Sequence, residues 1–530
     1  MTALMPLSAH VSTLAQLGNR HGSADVMEAP DLNYQILVPM LVLFGGACIA
    51  ILFEAMVKGA QRSIVQVFTV GLTLLATLGV LVYNFAQGRF GSYGAGLLMA
   101  DKPAYIMQMA LIVFTVGSMF LFVTHTSTSA REAGGRNSQL ESEIHALALF
   151  SLFGMVMFVA STNLLMLFIA LEVLSLPLYV LCSMDRYRPN RSQEASLKYF
   201  LLGVVAAALT LYGIVLTFGA TGSFDYQAIA QAAENGVEAN FFLGFLFIIA
   251  GLFFKIGAVP FHSWVPDVYQ GAPTPVTAFM AIATKLAAFG ALGRLLTLVV
   301  PMNDVDTWKL VVAIAAAVSM AYGAIVAIAQ RDVKRLIAYS SIGHAGFILA
   351  AFVGSTDGVF TVAGLEITAM SAAIVYLLAY GLATIGAFAV VTLVRDENGK
   401  EATDFDSWAG IGRKHPAIGA AFVIYFLSFA GIPLTAGFIG KLSAFAVPWL
   451  AGQAWLVVVA LLLSAVAAFA YFRFLTVMFF DTPSKNARMV APQGAVTVII
   501  AVTAILTVLM GVLPTWVISL VSDAGSFLVG

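Results

Sequence analysis

The sequence predicts an all-α integral membrane protein, a bundle of about 14 transmembrane helices, and three observations predict it. Apolar residues make up 60% of the 530 and charged residues 10%, against about 45–50% and about 25% in soluble domains. The apolar residues lie in continuous runs of roughly 20, the length a helix needs to cross the hydrocarbon core, not in the alternating segments of about ten that build a barrel. Lys and Arg fall in alternate loops, as a chain that weaves through a bilayer requires.

Taken in order, residues 1–32 are too polar to span and lack a basic segment followed by a dense apolar one, so they read as an uncleaved extension, leaving the first span to direct insertion. Spans starting near 34, 62 and 103 fill residues 33–144. A first unit, 145–300, holds spans 4–8, starting near 145, 163, 195, 240 and 274. A second, 301–480, holds spans 9–13, starting near 307, 334, 362, 416 and 453, and residues 481–530 hold a fourteenth from 494. Gly257 and Pro260 interrupt the seventh span near 250–266, and Gly431 and Pro433 the twelfth near 422–445. Breaks at matching places of two halves predict two inverted-topology five-helix repeats with a site at the bilayer midplane.

Odd-numbered loops carry 16 Lys and Arg, among them Lys58, Arg188, Lys334 and Lys400, whereas even loops and termini carry 4: Arg20, Arg89, Lys102 and Lys309. Cytoplasmic loops hold the positive excess, so both termini face away from the cytoplasm. A net charge of −1 gives no basic excess for phosphates and excludes nucleic acid as a partner. Cys48 and Cys182 lie far apart in apolar runs with no metal or disulfide spacing, so no cofactor and no metal is expected in this chain.

Subtracting loop charges leaves Glu172 in span 5, Lys255 in span 7, Lys285 and Arg294 in span 8, His344 in span 10, Lys441 in span 12 and Arg473 in span 13. Each central charge costs about 2.5–3.5 kcal/mol to insert, so such a row needs partners or a task. Glu, Lys and His gain and lose protons when burial or a neighbour shifts them; Arg does not. Glu172, Lys255, Lys285, His344 and Lys441 therefore read as a proton relay, and Arg294 and Arg473 as fixed ion pairs or snorkelling groups. The alternative for each lysine is a static salt bridge that fixes packing, and for His344 an interhelical hydrogen bond. Lys198, Glu54 and Glu366 sit at interfacial depth. Pro177 and Pro260, each five residues after a charged residue, are expected to free the Val173 and Ile256 carbonyls beside Glu172 and Lys255.

Three runs then become recognisable: FFKIGAVPFHSWVPDVYQGAPTPVTAF leading to Thr284 and Lys285, RDVKRLIAYSSIGHAGF, and FAGIPLTAGFIGKL. In order and at the expected helices, they resemble the antiporter-like membrane subunits of respiratory complex I, over nearly everything from residue 34 onward. The LKYFLLG run at span 6, a lysine on the broken span 12 and the short segment after span 14 set the chain apart from the member of that family that carries a long lateral helix. The resemblance implies that Glu172 pairs with Lys255, that Lys285 and His344 form the central connection, and that Lys441 lies on the exit side. It adds Lys198 to the input side and His262, in the PFHSW run, as a neighbour of the path.

It further implies proton export driven by quinone reduction, with FMN, iron–sulfur clusters and quinone in partner subunits, since no GxxxxGK[ST] run or cluster ligands occur here. The partners would be neighbouring membrane subunits, protons and lipid, in a bacterial plasma membrane. Three rival readings are a subunit of a multi-subunit sodium/proton antiporter, one of a membrane-bound hydrogenase, and a scaffold that transports nothing.

Overall fold

The computed structural model describes residues 32–530 except 59–60, 133–141, 186–187, 235, 237–238, 301–304, 355–358, 363–364, 398–399, 485–486, 491–493, 523–524, 526 and 529–530. The expected extension 1–32, but for residue 32, lies outside the described residues, as do the loop charges Arg136, Arg186 and Lys485. Six helices come first: α1 (Tyr34–Met56), α2 (Gln61–Ala86), α3 (Lys102–Glu132), α4 (Glu143–Ala160), α5 (Leu164–Cys182) and α6 (Pro189–Thr221). Next is α7 (Ala239–Ile256), continued after a break by the short helix Trp264–Gly271. Then come α8 (Thr274–Leu298), α9 (Val305–Ala329), α10 (Val333–Ala351) and α11 (Ala369–Val391). α12 is split into Pro416–Ala430 and Ala436–Leu450, and α13 (Ala454–Phe480) and α14 (Gly494–Val512) follow. Among the described residues thirteen helices are long and apolar enough to cross alone, and the split α12 makes the fourteenth crossing.

Local chemistry sets several of these bounds. The Asn163 side chain caps α5 by accepting from Leu165 and Met166, and Asp332 caps α10 by accepting from Arg335. Span 11 starts later than expected from 362, because the Thr368 and Ser371 side chains close a capping box that fixes the start of α11 at Ala369. The preceding residues pair instead as two antiparallel strands, Phe360–Val362 with Leu365–Ile367. Glu366 therefore sits exposed on a strand and not in a span. Pro260 also differs from expectation: α7 has already ended at Ile256, where Gly257 turns left-handed at φ +78°, so the proline lies in the break and removes no bond from a continuing helix.

Helices in lipid associate by close packing at small residues. A Cβ at Gly154 on α4 would lie 2.3 Å from the Leu174 nitrogen of α5, and one at Gly323 on α9 would lie 2.4 Å from the Gly343 nitrogen of α10. Across α6 and α7, Gly213 and Gly251 face Gly244 and Thr210 in the same way. The most apolar stretches of α8 and α10 are wholly buried, whereas α1, α2, α6, α13 and α14 present most of theirs to the outside. The bundle thus has a shielded centre, and the ionisable row lies on or against it.

The ends of the odd-numbered loops gather on one face. Arg188 reaches Glu401 at 3.1 Å, Thr274 donates to Glu401 at 2.5 Å, and Thr403 donates to Asp332 at 2.6 Å. Strand Val394–Asp396, after α11, pairs antiparallel with Ala487–Met489, after α13. On the opposite face, strands Gly91–Tyr93 and Leu98–Ala100 pair after α2. Lys334, expected in a loop, is fully buried at the start of α10 and donates to the Ala272 carbonyl at 2.7 Å, because the loops after α5, α7 and α11 fold over it.

Candidate functional site

Lys255 occupies the last turn of α7, where the helix ends against Gly257 and its carbonyls give a cation-favouring terminus. Its ammonium is buried, donates to the Tyr199 hydroxyl at 3.2 Å, and lies 5.0 Å and 5.5 Å from the ring centres of Tyr199 and Tyr179. Trp264 stacks on Tyr199 at 4.6 Å and donates its indole N–H to the Phe254 carbonyl, bracing this aromatic cage across the helix break. Ring faces attract a cation without offering a strong hydrogen bond, so the cage holds the charge loosely. Glu172, half-buried on α5, interacts with Lys255 electrostatically but makes no ion pair with it within 4.0 Å. No contact between carboxylate and ammonium joins the two residues expected to pair.

Lys285 follows a π-helical turn, Met280–Thr284, within α8. Such a turn inserts one residue into the helical register and re-aims the next side chain. Here it directs the buried Lys285 ammonium to the Ser341 carbonyl of α10 at 2.6 Å and to 5.9 Å from the Tyr380 ring of α11. His344, one turn along α10, shares a hydrogen bond at 2.8 Å between Nδ1 and the Tyr376 hydroxyl, while its Nε2 is buried without a protein partner. It feels both Lys285 and Lys441.

Lys441 sits on the second half of α12 and folds back to the end of the first. Its ammonium donates to the Phe429 and Ala430 carbonyls at 3.0 and 2.8 Å and to the Ser464 hydroxyl of α13 at 2.7 Å. Gly431, at φ +79°, opens those carbonyls; a Cβ there would lie 2.6 Å from Lys441 Cδ. Both breaks therefore do one thing: they end a helix beside a lysine and leave backbone oxygen or a cage for its charge.

Lys198 and His262 stand outside this row. Lys198 is partly exposed at the odd-loop face, paired with Glu194 at 2.7 Å and Asp267 at 2.9 Å, and Asp267 in turn holds Arg335 at 2.8 Å. His262 lies in the α7 break against the Tyr322 ring at 4.3 Å, its Nδ1 without a protein partner. The arginines are fixed, as their chemistry led one to expect. Arg294 makes a fully buried bidentate pair with Asp101, both bonds 2.8 Å, and Arg473 donates to the Ile328 and Gln330 carbonyls. Glu54 is tied at the interface to Arg62, Gln66 and Ser142. Sequence reasoning missed Asp101, the buried role of Lys334 and the tyrosines around the lysines. Asp101 precedes span 3 by one residue, and a lone buried arginine in span 8 was the signal that an acid had to lie near it. Among the described residues no cluster of three His, Cys, Asp or Glu is placed to hold a metal ion.

A family model described as the transmembrane region of the NADH:quinone oxidoreductase/Mrp antiporters matches residues 161–467, more than half the chain. Subunit N of the NADH-quinone oxidoreductase of Cutibacterium acnes is 42% identical over 94% of this chain and 96% of its own length. The chain belongs to the subunit N family of NADH-quinone oxidoreductases. The subunit N of Rhodococcus opacus is 41% identical over 94% of this chain and 97% of its own. In space, a chain of respiratory complex I from Thermus thermophilus matches with a TM-score of 0.75 at 31% identity, covering 91% of this chain and 99% of that one. A chain of the Mrp complex from Dietzia sp. matches with a TM-score of 0.74 at 18% identity, a likeness of fold alone. The chain thus shares its fold with a chain of the Mrp complex, and its sequence sides with the NADH-quinone oxidoreductase subunits.

Proposed function

We propose that, as a proton-translocating membrane subunit of NADH:quinone oxidoreductase, this chain carries protons along Glu172, Lys255, Lys285, His344 and Lys441. The observation that supports the relay is that three buried ammonium groups, on or beside the most shielded helices, have no carboxylate bonded to them and are held by rings, backbone carbonyls and hydroxyls. A static salt bridge would show a carboxylate in contact, as Arg294 and Asp101 do. Glu172 near Lys255 favours its charged form, and moving or neutralising the acid pushes that proton toward Lys285. A 100 mV potential opposes export by about 2.3 kcal/mol per proton, which a change of about two pKa units covers at about 1.36 kcal/mol each.

In this reading Lys198 gathers protons at the odd-loop face and His262 lines the break beside Lys255. Flavin, iron–sulfur clusters and quinone belong to other subunits, which supply the driving energy. The membrane is a bacterial plasma membrane with both termini on the non-cytoplasmic side. The functional units are 145–300 and 301–480, inverted repeats flanked by 33–144 and 481–530. The close pairs α4–α5 and α9–α10, and the breaks in α7 and α12, recur in matching places and support that division.

The test is Lys255→Ala in the assembled complex. NADH-driven proton uptake by inverted vesicles should fall at least tenfold per NADH oxidised, with assembly intact on a native gel. Undiminished uptake by a fully assembled variant would remove Lys255 from the path.

A further inference from the structure

Between Lys285 and His344 the relay has a gap. The two interact electrostatically, yet Lys285 spends its bond on the Ser341 carbonyl and His344 spends Nδ1 on Tyr376. α11 closes this gap from the side. Tyr376, Tyr380 and Thr384 lie four residues apart and so form one stripe along the helix. The Tyr380 ring touches both ends of the gap: it is 5.1 Å from the His344 ring and 5.9 Å from the Lys285 ammonium.

Tyr380 and its two neighbours, Thr384 and His344, each carry a buried polar atom without a protein partner in hydrogen-bonding geometry: Tyr380 Oη, Thr384 Oγ1 and His344 Nε2. Their residues are 3%, 0% and 3% exposed, so bulk water does not serve them. The hydroxyls of Ser341 and Thr384 are the polar neighbours of Tyr380, neither in hydrogen-bonding geometry with it. A buried water bonds to two to four polar groups that lack other partners, and this cluster supplies that number. A buried hydroxyl and an imidazole nitrogen left unmatched are otherwise rare in a native interior.

We propose that Tyr380 and Thr384 hold one bridging water and that this bridge carries the proton from Lys285 to His344. The inference rests on the relay reading above and adds two residues to it. In the step, the Lys285 ammonium turns from the Ser341 carbonyl to the Tyr380 oxygen, one of its N–H bonds breaks, and that proton goes to the oxygen. The hydroxyl passes its own proton to the water, and the water passes one to His344 Nε2. Hydroxyl and water end as they began, Lys285 is neutral and His344 is an imidazolium. The step uses the tautomer in which Nδ1–H donates to the Tyr376 hydroxyl and the Nε2 lone pair is open to receive, one of the two that this hydrogen bond accommodates. Tyr376 is accordingly a positioning residue, and Tyr380 and Thr384 touch the moving proton.

The experiment compares Tyr380→Phe, Thr384→Val, the double variant and Lys285→Ala in inverted vesicles carrying the whole complex. Proton uptake per NADH oxidised is measured in H2O and in D2O, and assembly is checked by NADH oxidation at the flavin with hexacyanoferrate. Tyr380→Phe and Thr384→Val should each lower uptake three- to tenfold and raise the H2O/D2O rate ratio, which a merely structural defect would leave alone. The double variant should lose no more than the worse single one, because both hydroxyls serve one bridge. Wild-type uptake and isotope ratio in assembled Tyr380→Phe and Thr384→Val, beside a Lys285→Ala variant that has lost uptake, would overturn the bridge and leave the relay standing. Normal uptake by Lys285→Ala would overturn both. Should Tyr380→Phe fail to assemble, Thr384→Val decides by the same two readouts.

Discussion

At the scale of single residues, Lys441 and Arg294 are held in opposite ways, one by carbonyls and a hydroxyl and the other by a carboxylate, and substitutions should separate them. Gly431→Ala places a methyl group against Lys441 and forces a residue with a side chain into the left-handed region, at about 1–2 kcal/mol. Proton uptake should drop severalfold while the complex still assembles, because the ammonium is pushed off its carbonyls. Arg294→Met should act on assembly instead: it strands Asp101 in a fully buried site, at about 3–5 kcal/mol. Asp101→Leu combined with Arg294→Met should recover much of the assembled complex on a native gel, since no charge is then left alone. The row of ionisable residues was legible in the sequence because a charge stands out in an apolar run. Its partners were not. Tyr380 is an ordinary membrane-helix residue until the fold turns its ring toward Lys285, and Lys334 read as a loop charge because hydropathy measures distance from an apolar run and not cover from above.

At the scale of elements, the two broken helices were visible beforehand as Gly and Pro inside apolar runs. The π-helical turn before Lys285 was not, since a one-residue slip of register leaves no mark in composition. The approach of α9 to α10 offers a test of how far packing governs the site. Gly323 meets the backbone of Gly343, which cannot yield as a flexible side chain would, and His344 is the next residue. Gly323→Ala should cost about 1–3 kcal/mol through overpacking. The thermal stability of the purified complex should fall and proton uptake with it, whereas the same change at Gly45, which faces open space, should alter neither.

At the scale of the whole molecule, the alternation of charged loops foretold fourteen crossings, and the gathering of odd-loop ends on one face agrees with it. Which face meets the cytoplasm is open to direct measurement. With Cys48 and Cys182 replaced by Ser, a membrane-impermeant maleimide should label Lys400→Cys in inverted vesicles and Gln87→Cys in intact spheroplasts. The reverse pattern would turn the chain over. The odd-loop face is itself a clasp: Arg188 and Glu401 join segments more than 200 residues apart. Arg188→Ala and Glu401→Gln should therefore be non-additive, with a coupling of about 0.5–3 kcal/mol in resistance to detergent dissociation.

The oxygen nest at the α12 break has one more implication. Two carbonyls and a hydroxyl converging within 3.0 Å of a single point are the kind of ligand set that hard metal cations take. Here they are already coordinated by an ion that cannot diffuse away, because it is covalently leashed to the helix at Lys441. Sodium or potassium arriving at that point would have to evict a resident competitor. A proton needs no such place, because it joins the Lys441 nitrogen itself and leaves the oxygens to hold the ammonium that results.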